Sequence, residues 1–415
     1  MTKRLILIVF LFISVITTAQ ERTTSPYSFY GVGLNTFRGT VENKSMGGIS
    51  IFSDSIHLNL QNPAGYGRLR LTNYSVAGSH SRTALESATE SGSARVTTLD
   101  YLAIGIPTNK FGFGFGLIPY SAVGYNIIDI NEEAGTAGRF SGSGGINKVF
   151  LGAGFELTPN ISIGAEAHYN FGNIENSNIH IRQGLQFGTR EINSSDLRGF
   201  TYKIGLDYER MLSEKLEIRL GAHYAPQADL RSDNERELAT VLITAQGNEV
   251  PIEREEIEIG ATDLTLPASV TIGAGIGQPL KWFVGAEYEN TGESNFSNRS
   301  FSVEGASYSS ATKMRIGGFY IPEYNSLTSY FSRVVYRGGF RMEETGLSLD
   351  GEAINELGIS FGVGLPAGGN FSNLNVGFEY GQRGTTDSGL IKENFFNVMI
   401  SLSLSDRWFI KRRFE

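Results

Sequence analysis

Apolar and polar positions alternate strictly along much of the chain. Ile161, Ile163, Ala165, Ala167, Tyr169 and Phe171 fall on one face; Ser162, Gly164, Glu166, His168 and Asn170 fall on the other. Leu216 to Tyr224 and Phe396 to Leu404 read the same way. A period of two with one apolar face marks a half-buried strand. Here the apolar face ends in aromatics, as suits side chains that meet lipid and then its interface. Fourteen such strands are predicted, at 70–82, 96–107, 110–126, 146–157, 161–172, 199–210, 215–225, 264–277, 281–290, 312–319, 332–342, 356–365, 373–382 and 394–404.

Connection lengths add direction. Thr108-Asn109-Lys110, Thr158-Pro159-Asn160, Leu212-Ser213-Glu214 and Gly277-Gln278-Pro279 are tight turns, and they alternate with long polar segments at 173–198, 226–263 and 291–311. Short turns at one end and long loops at the other is the pattern of an outer-membrane barrel. The exception is 320–331, a long connection where a short one is due. The expected fold is all-β: a closed, fourteen-stranded antiparallel transmembrane barrel.

The polar face is rich in glycine. Gly112, Gly114 and Gly116 oppose Phe111, Phe113 and Phe115, and Gly152, Gly154, Gly164, Gly205, Gly221, Gly358, Gly362, Gly364 and Gly377 also point inward. Inward glycines either ease strand bending or leave room for another backbone in the lumen. The second reading makes residues 20–69 the occupant, an N-terminal hatch inside the lumen. That stretch lacks alternation and is too short to bury a core of its own.

Composition narrows the class. Lys3 and Arg4 precede an apolar run, Leu5 to Ile16, and then Thr17-Thr18-Ala19, so 1–19 reads as a signal peptide cleaved before Gln20. The barrel then spans 70–405, and 406–415 forms a periplasmic tail with Trp408 and Phe409 at the interface and Lys411-Arg412-Arg413 solvated. With no cysteine, disulfides, thiolate metal sites and a lipidated Cys are excluded. A net charge of −8 argues against nucleic acid. The five histidines form no close ligand pair, and no nucleophile elbow or Walker-type loop is visible. The expectation is therefore no enzyme, no cofactor and no metal.

Ser45-Met46-Gly47-Gly48 followed by Asn62-Pro63-Ala64-Gly65 resembles the hatch of FadL-type long-chain fatty acid transporters. Phe115-Gly116-Leu117-Ile118-Pro119-Tyr120 is similar to that family's interrupted third strand, and Leu264-Thr265-Leu266-Pro267-Ala268 to a later strand entry. The resemblance spans the mature chain. It implies an outer-membrane channel for passive uptake of hydrophobic or amphipathic small molecules, gated by the hatch, with lateral exit beside Leu117, Pro119 and Tyr120. A PorV-like branch of the family implies instead a non-transporting accessory subunit that scaffolds or shuttles proteins in an outer-membrane complex. Independently of family, Pro119 removes a ladder donor, which marks either a local opening or a strand already above the lipid.

Charged residues on the wall must face inward. Glu166 is expected beside Lys203, Asp207 beside Arg219, and Glu287 with Glu289 beside Arg315. These charges make either a structural network or, at Arg315, Arg337 and Arg341, a positive spot for an anionic head group. The 226–263 segment is acidic, with Leu238–Thr244 and Glu253–Ile259 as a hairpin around Gln246-Gly247-Asn248. It is either a solvated loop or a surface for a protein partner, and it departs from the apolar capture groove that the resemblance implies. Other expected partners are outer-membrane lipid and a hydrophobic small molecule.

Overall fold

A computed structural model describes residues 22–131, 134–244, 248–293, 305–367 and 372–408. The expected signal peptide, Gln246 and Gly247 of the expected hairpin turn, and the expected tail from Phe409 onward lie outside the described residues. Fourteen antiparallel wall strands close into one barrel. They are β1 Thr72–Glu86, β2 Ser91–Thr108, β3 in two pieces (Phe111–Pro119 and Ser121–Asn131), β4 Thr136–Thr158, β5 Ile161–Arg182, β6 Gly188–Met211, β7 Glu217–Ala225, β8 Ser269–Gln278, β9 Trp282–Thr291, β10 Ala311–Tyr320, β11 Val335–Leu349, β12 Glu352–Pro366, β13 Asn373–Arg383 and β14 Lys392–Asp406. Each strand pairs with its sequence neighbour in the wall, and β14 closes the ring against β1 from Thr72↔Asp406 to Glu86↔Lys392.

The alternation determines which side faces out. Phe111, Phe113 and Phe115 are exposed on the outer surface, as are Ile163, Tyr169, Ile272, Phe361 and Phe396. These side chains meet the hydrocarbon of an outer membrane. Among the described residues no helix is long and apolar enough to cross a bilayer, so strands do the crossing. The tight turns lie at one end, the end that short turns give to the periplasm in outer-membrane barrels, and Asn109 takes φ 25° there to reverse the chain in the β2–β3 turn. The long connection between β10 and β11 holds a short 3-10 turn, Phe331–Arg333, and Ile321 N donates to Lys281 O at 2.6 Å.

Two sequence expectations need correction. The polar segment 173–198 is not a loop but the continuation of β5 and β6, which stay paired out to His180↔Thr189. Most of 226–263 is likewise strand, longer than the expected hairpin at its end: Ala228–Ile243 pairs with the far end of β6, and Glu249–Glu258 folds back on it with Leu238 opposite Glu255, the hairpin that the sequence predicted. Apolar alternation is lost there because many of the buried positions are polar, Asn176, Asn178, Asn193 and Ser195 among them, yet the backbone ladder needs no apolar face to continue. A small cluster of Ile179, Ala239 and Val241, flanked by Ile181 and Ile243, packs this outward sheet. The last wall strand also runs on to Asp406, past Leu404.

Candidate functional site

Residues 22–69 are mostly buried and contact inward-facing positions on several wall strands. The short helix Val41–Lys44 meets β12, β13 and β14, while the 3-10 turn Pro63–Arg68 meets β3, β4, β5 and β6 on the opposite side. Inward glycines are where the two backbones touch. A Cβ on Gly112 would sit 1.8 Å from Tyr66 O, one on Gly164 2.3 Å from Pro63, and one on Gly317 2.0 Å from Met46 O. Gly362 and Gly377 are met by the Ser45 hydroxyl, and Gly205 by the Asn62 side chain.

Asn62, Pro63, Ala64 and Gly65 form a capped turn. The Asn62 side chain accepts from Ala64 N at 3.1 Å, Pro63 occupies the first turn position, and Asn62 Nδ2 donates to Leu206 O at 3.0 Å. Ser45 and Met46 are buried, and Gly47 and Gly48 take φ of 69° and 88°. Only glycine adopts that pair cheaply, and it lets Gly47 N donate to Ser360 Oγ at 2.9 Å.

The inward charges bond mostly to each other and to the enclosed segment. Arg315 holds Glu287 and Glu289, each at 2.5 Å. Glu287 also accepts from Ser50 N at 2.7 Å and Ser50 Oγ at 2.6 Å. Arg341 holds Glu379 at 2.8 Å and also Glu356, and Lys44 reaches Glu379 at 3.3 Å. Glu166 stands opposite Lys203 in register, yet it accepts from the Tyr66 hydroxyl at 2.7 Å and pairs with His168. Lys203 donates to Gln61 O at 3.1 Å. Asp207 faces Arg68 at 3.4 Å, while Arg219 takes Glu217 and Glu209. Burial, reinforced by Glu166, pushes the Tyr66 phenol well above its ordinary value, so it remains a donor. Arg315 and Arg341 each carry two or more carboxylates and form no positive spot; of the three arginines, Arg337 alone lacks an ion-pair partner among the described residues.

Glu42, Lys44 and Ser50 contribute to this network, and sequence reasoning missed them. The available signal was that polar groups of an enclosed segment need partners on the wall. Arg383, which joins Glu356 to Glu393, was missed as well.

The third strand breaks at Tyr120. Leu117 is the last residue of β3 paired with β2, opposite Leu102, and Pro119 still pairs with Asn147 of β4. Beyond the break, Ser121–Asn131 pairs with β4 on one side and, at Ala122 and Ser121, with Leu34 and Asn35 of the enclosed segment on the other. Thr36 caps the break: its hydroxyl donates to Pro119 O at 2.7 Å and its N–H to Tyr120 O at 3.1 Å. Arg38 lies over the Tyr120 ring at 5.0 Å. Among the described residues, the half of β2 from Ser91 to Asp100 pairs only with β1. A recess of about 320 Å³ lies on the outward side of the enclosed segment, and a cavity of about 970 Å³ lies at the periplasmic end.

A family model described as BamG matches residues 1–415. Among solved structures, the toluene transporter TbuX of Ralstonia pickettii aligns with TM-score 0.61 at 15% identity, covering 90% of this chain and 100% of that one. The toluene transporter TodX of Pseudomonas putida gives 0.60 at 15%, over 90% and 100%. A FadL homologue of Pseudomonas aeruginosa gives 0.57 at 12%, over 90% and 98%. At such identities these likenesses show the fold alone, that of a FadL-type outer-membrane barrel. No curated protein matches the sequence.

Proposed function

The chain belongs to the BamG family, and from that premise we propose that it is an accessory subunit of an outer-membrane protein complex. In this reading the barrel does not transport. It anchors an outward sheet that scaffolds or shuttles a protein partner. The observation that carries the proposal is the lumen. A channel for hydrophobic compounds needs a continuous apolar path. Here the enclosed segment meets the wall backbone to backbone at glycines and is tied to it by Lys44–Glu379, Ser50–Glu287 and Tyr66–Glu166. Breaking buried, charge-assisted bonds of this kind is costly, so the segment acts as a hatch that stays shut.

The outward sheet supplies the docking surface. Glu249–Glu258 pairs with Ala228–Ile243 along one edge only, and Glu253, Glu255, Glu256 and Glu258 are exposed beside Val250 and Ile252. An acidic, partly apolar edge suits a basic partner surface. A photo-crosslinker at Ile252 in living cells is expected to trap one protein, and lysine at the four glutamates to abolish the product. No product, or one insensitive to charge reversal, contradicts docking at this hairpin.

The strand break supports a second reading, passive uptake of hydrophobic or amphipathic molecules with lateral exit beside Leu117, Pro119 and Tyr120. Thr36, Leu34 and Asn35 would have to withdraw for that path to open. Uptake lost when Pro119 is replaced by Val, in a barrel that still inserts, would favour this reading.

A further inference from the structure

The periplasmic cavity of about 970 Å³ is lined by Arg333 and Arg337, whose guanidinium groups have no ion-pair partner among the described residues. Arg337, on the inner face of β11, is only 8% exposed. It donates one hydrogen bond, from Nη1 to Asn375 Oδ1 at 3.1 Å, and among the described residues no carboxylate oxygen lies within 4.0 Å of it. Asn375 separates it from Glu42, donating from Nδ2 to Glu42 Oε1 at 2.9 Å. Arg333, on the long β10–β11 connection, lines the same cavity with a buried Nε that has no acceptor, and its guanidinium lies 5.5 Å from the Tyr330 ring centre. Of the other charged groups lining this cavity, Arg219 pairs with Glu217, Arg70 with Glu156, Arg68 with Asp207 and Glu209, and Asp54 with His57. Glu42 is bonded through Oε1 to Asn375 and Ser403 while its buried Oε2 has no partner, and Arg407 at the rim has no ion-pair partner among the described residues.

A buried cation without a counter-charge is expensive, and a fold that retains one usually has a use for it. The position is also built for the group. Gly364 on β12, opposite Val335 in register, leaves room for the guanidinium: a Cβ there would sit 2.6 Å from Nη1 of Arg337. Apolar side chains, Phe52, Phe319 and Ile321, line the rest of the cavity.

We propose that this cavity binds a phosphate monoester carried on an apolar body, entering from the periplasmic side. The three guanidinium groups without an ion pair, Arg333, Arg337 and Arg407, against the one unpaired carboxylate, Glu42, leave about two positive charges, which call for about two negative ones. A phosphate monoester supplies roughly 1.5 to 2 near neutral pH, with three strong acceptor oxygens, whereas a carboxylate supplies one. The site goes beyond the accessory role and does not depend on it.

The test uses the full chain in lipid nanodiscs, titrated calorimetrically with hexyl phosphate, inorganic phosphate and hexanoate. Hexyl phosphate is expected to bind one-to-one and more tightly than either of the others. Arg337→Gln is expected to weaken it about tenfold or more, the effect of losing a hydrogen bond to a charged group. Arg333→Gln, outside the strand ladder, is expected to weaken it several-fold and reads the site even if the first variant fails to fold. Absence of hexyl phosphate binding overturns the site. Equal affinity for hexanoate overturns the phosphate assignment, and equal affinity for inorganic phosphate overturns the apolar body. An unchanged affinity in Arg333→Gln, with Arg337→Gln either unchanged or unfolded, overturns the role of the arginines.

Discussion

Arginine–carboxylate pairs of similar geometry occur in two regions with opposite surroundings. Inside the ring, Arg315 grips Glu287 and Glu289 at 2.5 Å with side chains 8%, 0% and 9% exposed. On the outward sheet, Arg231 and Arg198 reach Asp233 at 2.9 and 2.6 Å, but the arginines are 61% and 58% exposed. The dielectric, more than the distance, separates them. In the interior, water no longer competes, so losing one partner leaves a stranded charge. On the sheet, water and salt screen the pair, and its partners remain free to meet another surface. One region is built to hold its own segment, the other to face something else.

Breaking the interior pair gives the largest expected effect. Arg315→Met strands Glu287 and Glu289 and is expected to cost about 3–5 kcal/mol, read from the urea unfolding midpoint in lipid vesicles. A change below about 1 kcal/mol would mean that water already screens this site.

Next comes backbone contact. Gly112→Val forces a side chain against Tyr66 O and is expected to cost about 1–3 kcal/mol and expose the N-terminal segment to protease. Gly92→Val, in the outward part of β2 with nothing within 4 Å of its Cβ, serves as the neutral counterpart. Equal protease sensitivity in the two variants would contradict the close fit.

A smaller effect is expected from pH. Burial alone would raise the Asp54 carboxyl and lower the His57 imidazole, but their pairing at 2.6 Å overrides it, holding Asp54 down to about 2 and His57 above its ordinary 6.5. Asp54 therefore stabilises the segment above its ordinary 3.8, and that contribution is lost as pH falls toward 2. The contribution of His57 is complete below 6.5 and disappears as pH rises through its raised value. Protease access to the segment should rise on both sides of this window, and His57→Gln should remove the alkaline limb. A histidine NMR titration at or below 6.5 would refute it.

The smallest effect belongs to the outward sheet. Arg231→Gln is expected to leave the unfolding midpoint unchanged, because the pair it breaks is solvent-exposed. A measurable loss of stability there would blur the contrast between the two regions.

The wall was legible in the sequence because lipid demands an apolar outer face, and Phe111, Phe113 and Phe115 against Gly112, Gly114 and Gly116 encode it directly. The outward parts of β5 and β6 were not, since their buried face carries Asn176, Asn178, Asn193 and Ser195, and a polar buried face hides the alternation. Pro119 marked the break, but nothing marked Leu34–Asn35 as the backbone that pairs beside it: two residues hold no pattern. The signs of the inward charges were readable, their partners less so. Glu166 and Lys203 are indeed adjacent across β5 and β6, yet each turns to the enclosed segment, to Tyr66 and Gln61. A third body in the lumen rearranges pairings that strand neighbours alone would predict.

A closed barrel that serves a partner should bring that partner with it out of the membrane. The most direct test is gentle extraction from native outer membranes, comparing the full chain with a form whose 234–258 hairpin is replaced by a short turn, and analysing everything that comes with each. The account predicts a protein at fixed stoichiometry with the full chain, absent from the shortened form, and no hydrophobic compound at the strand break. A full chain that comes away alone, with a hydrophobic molecule lodged between the hatch and the wall beside Tyr120, would contradict it.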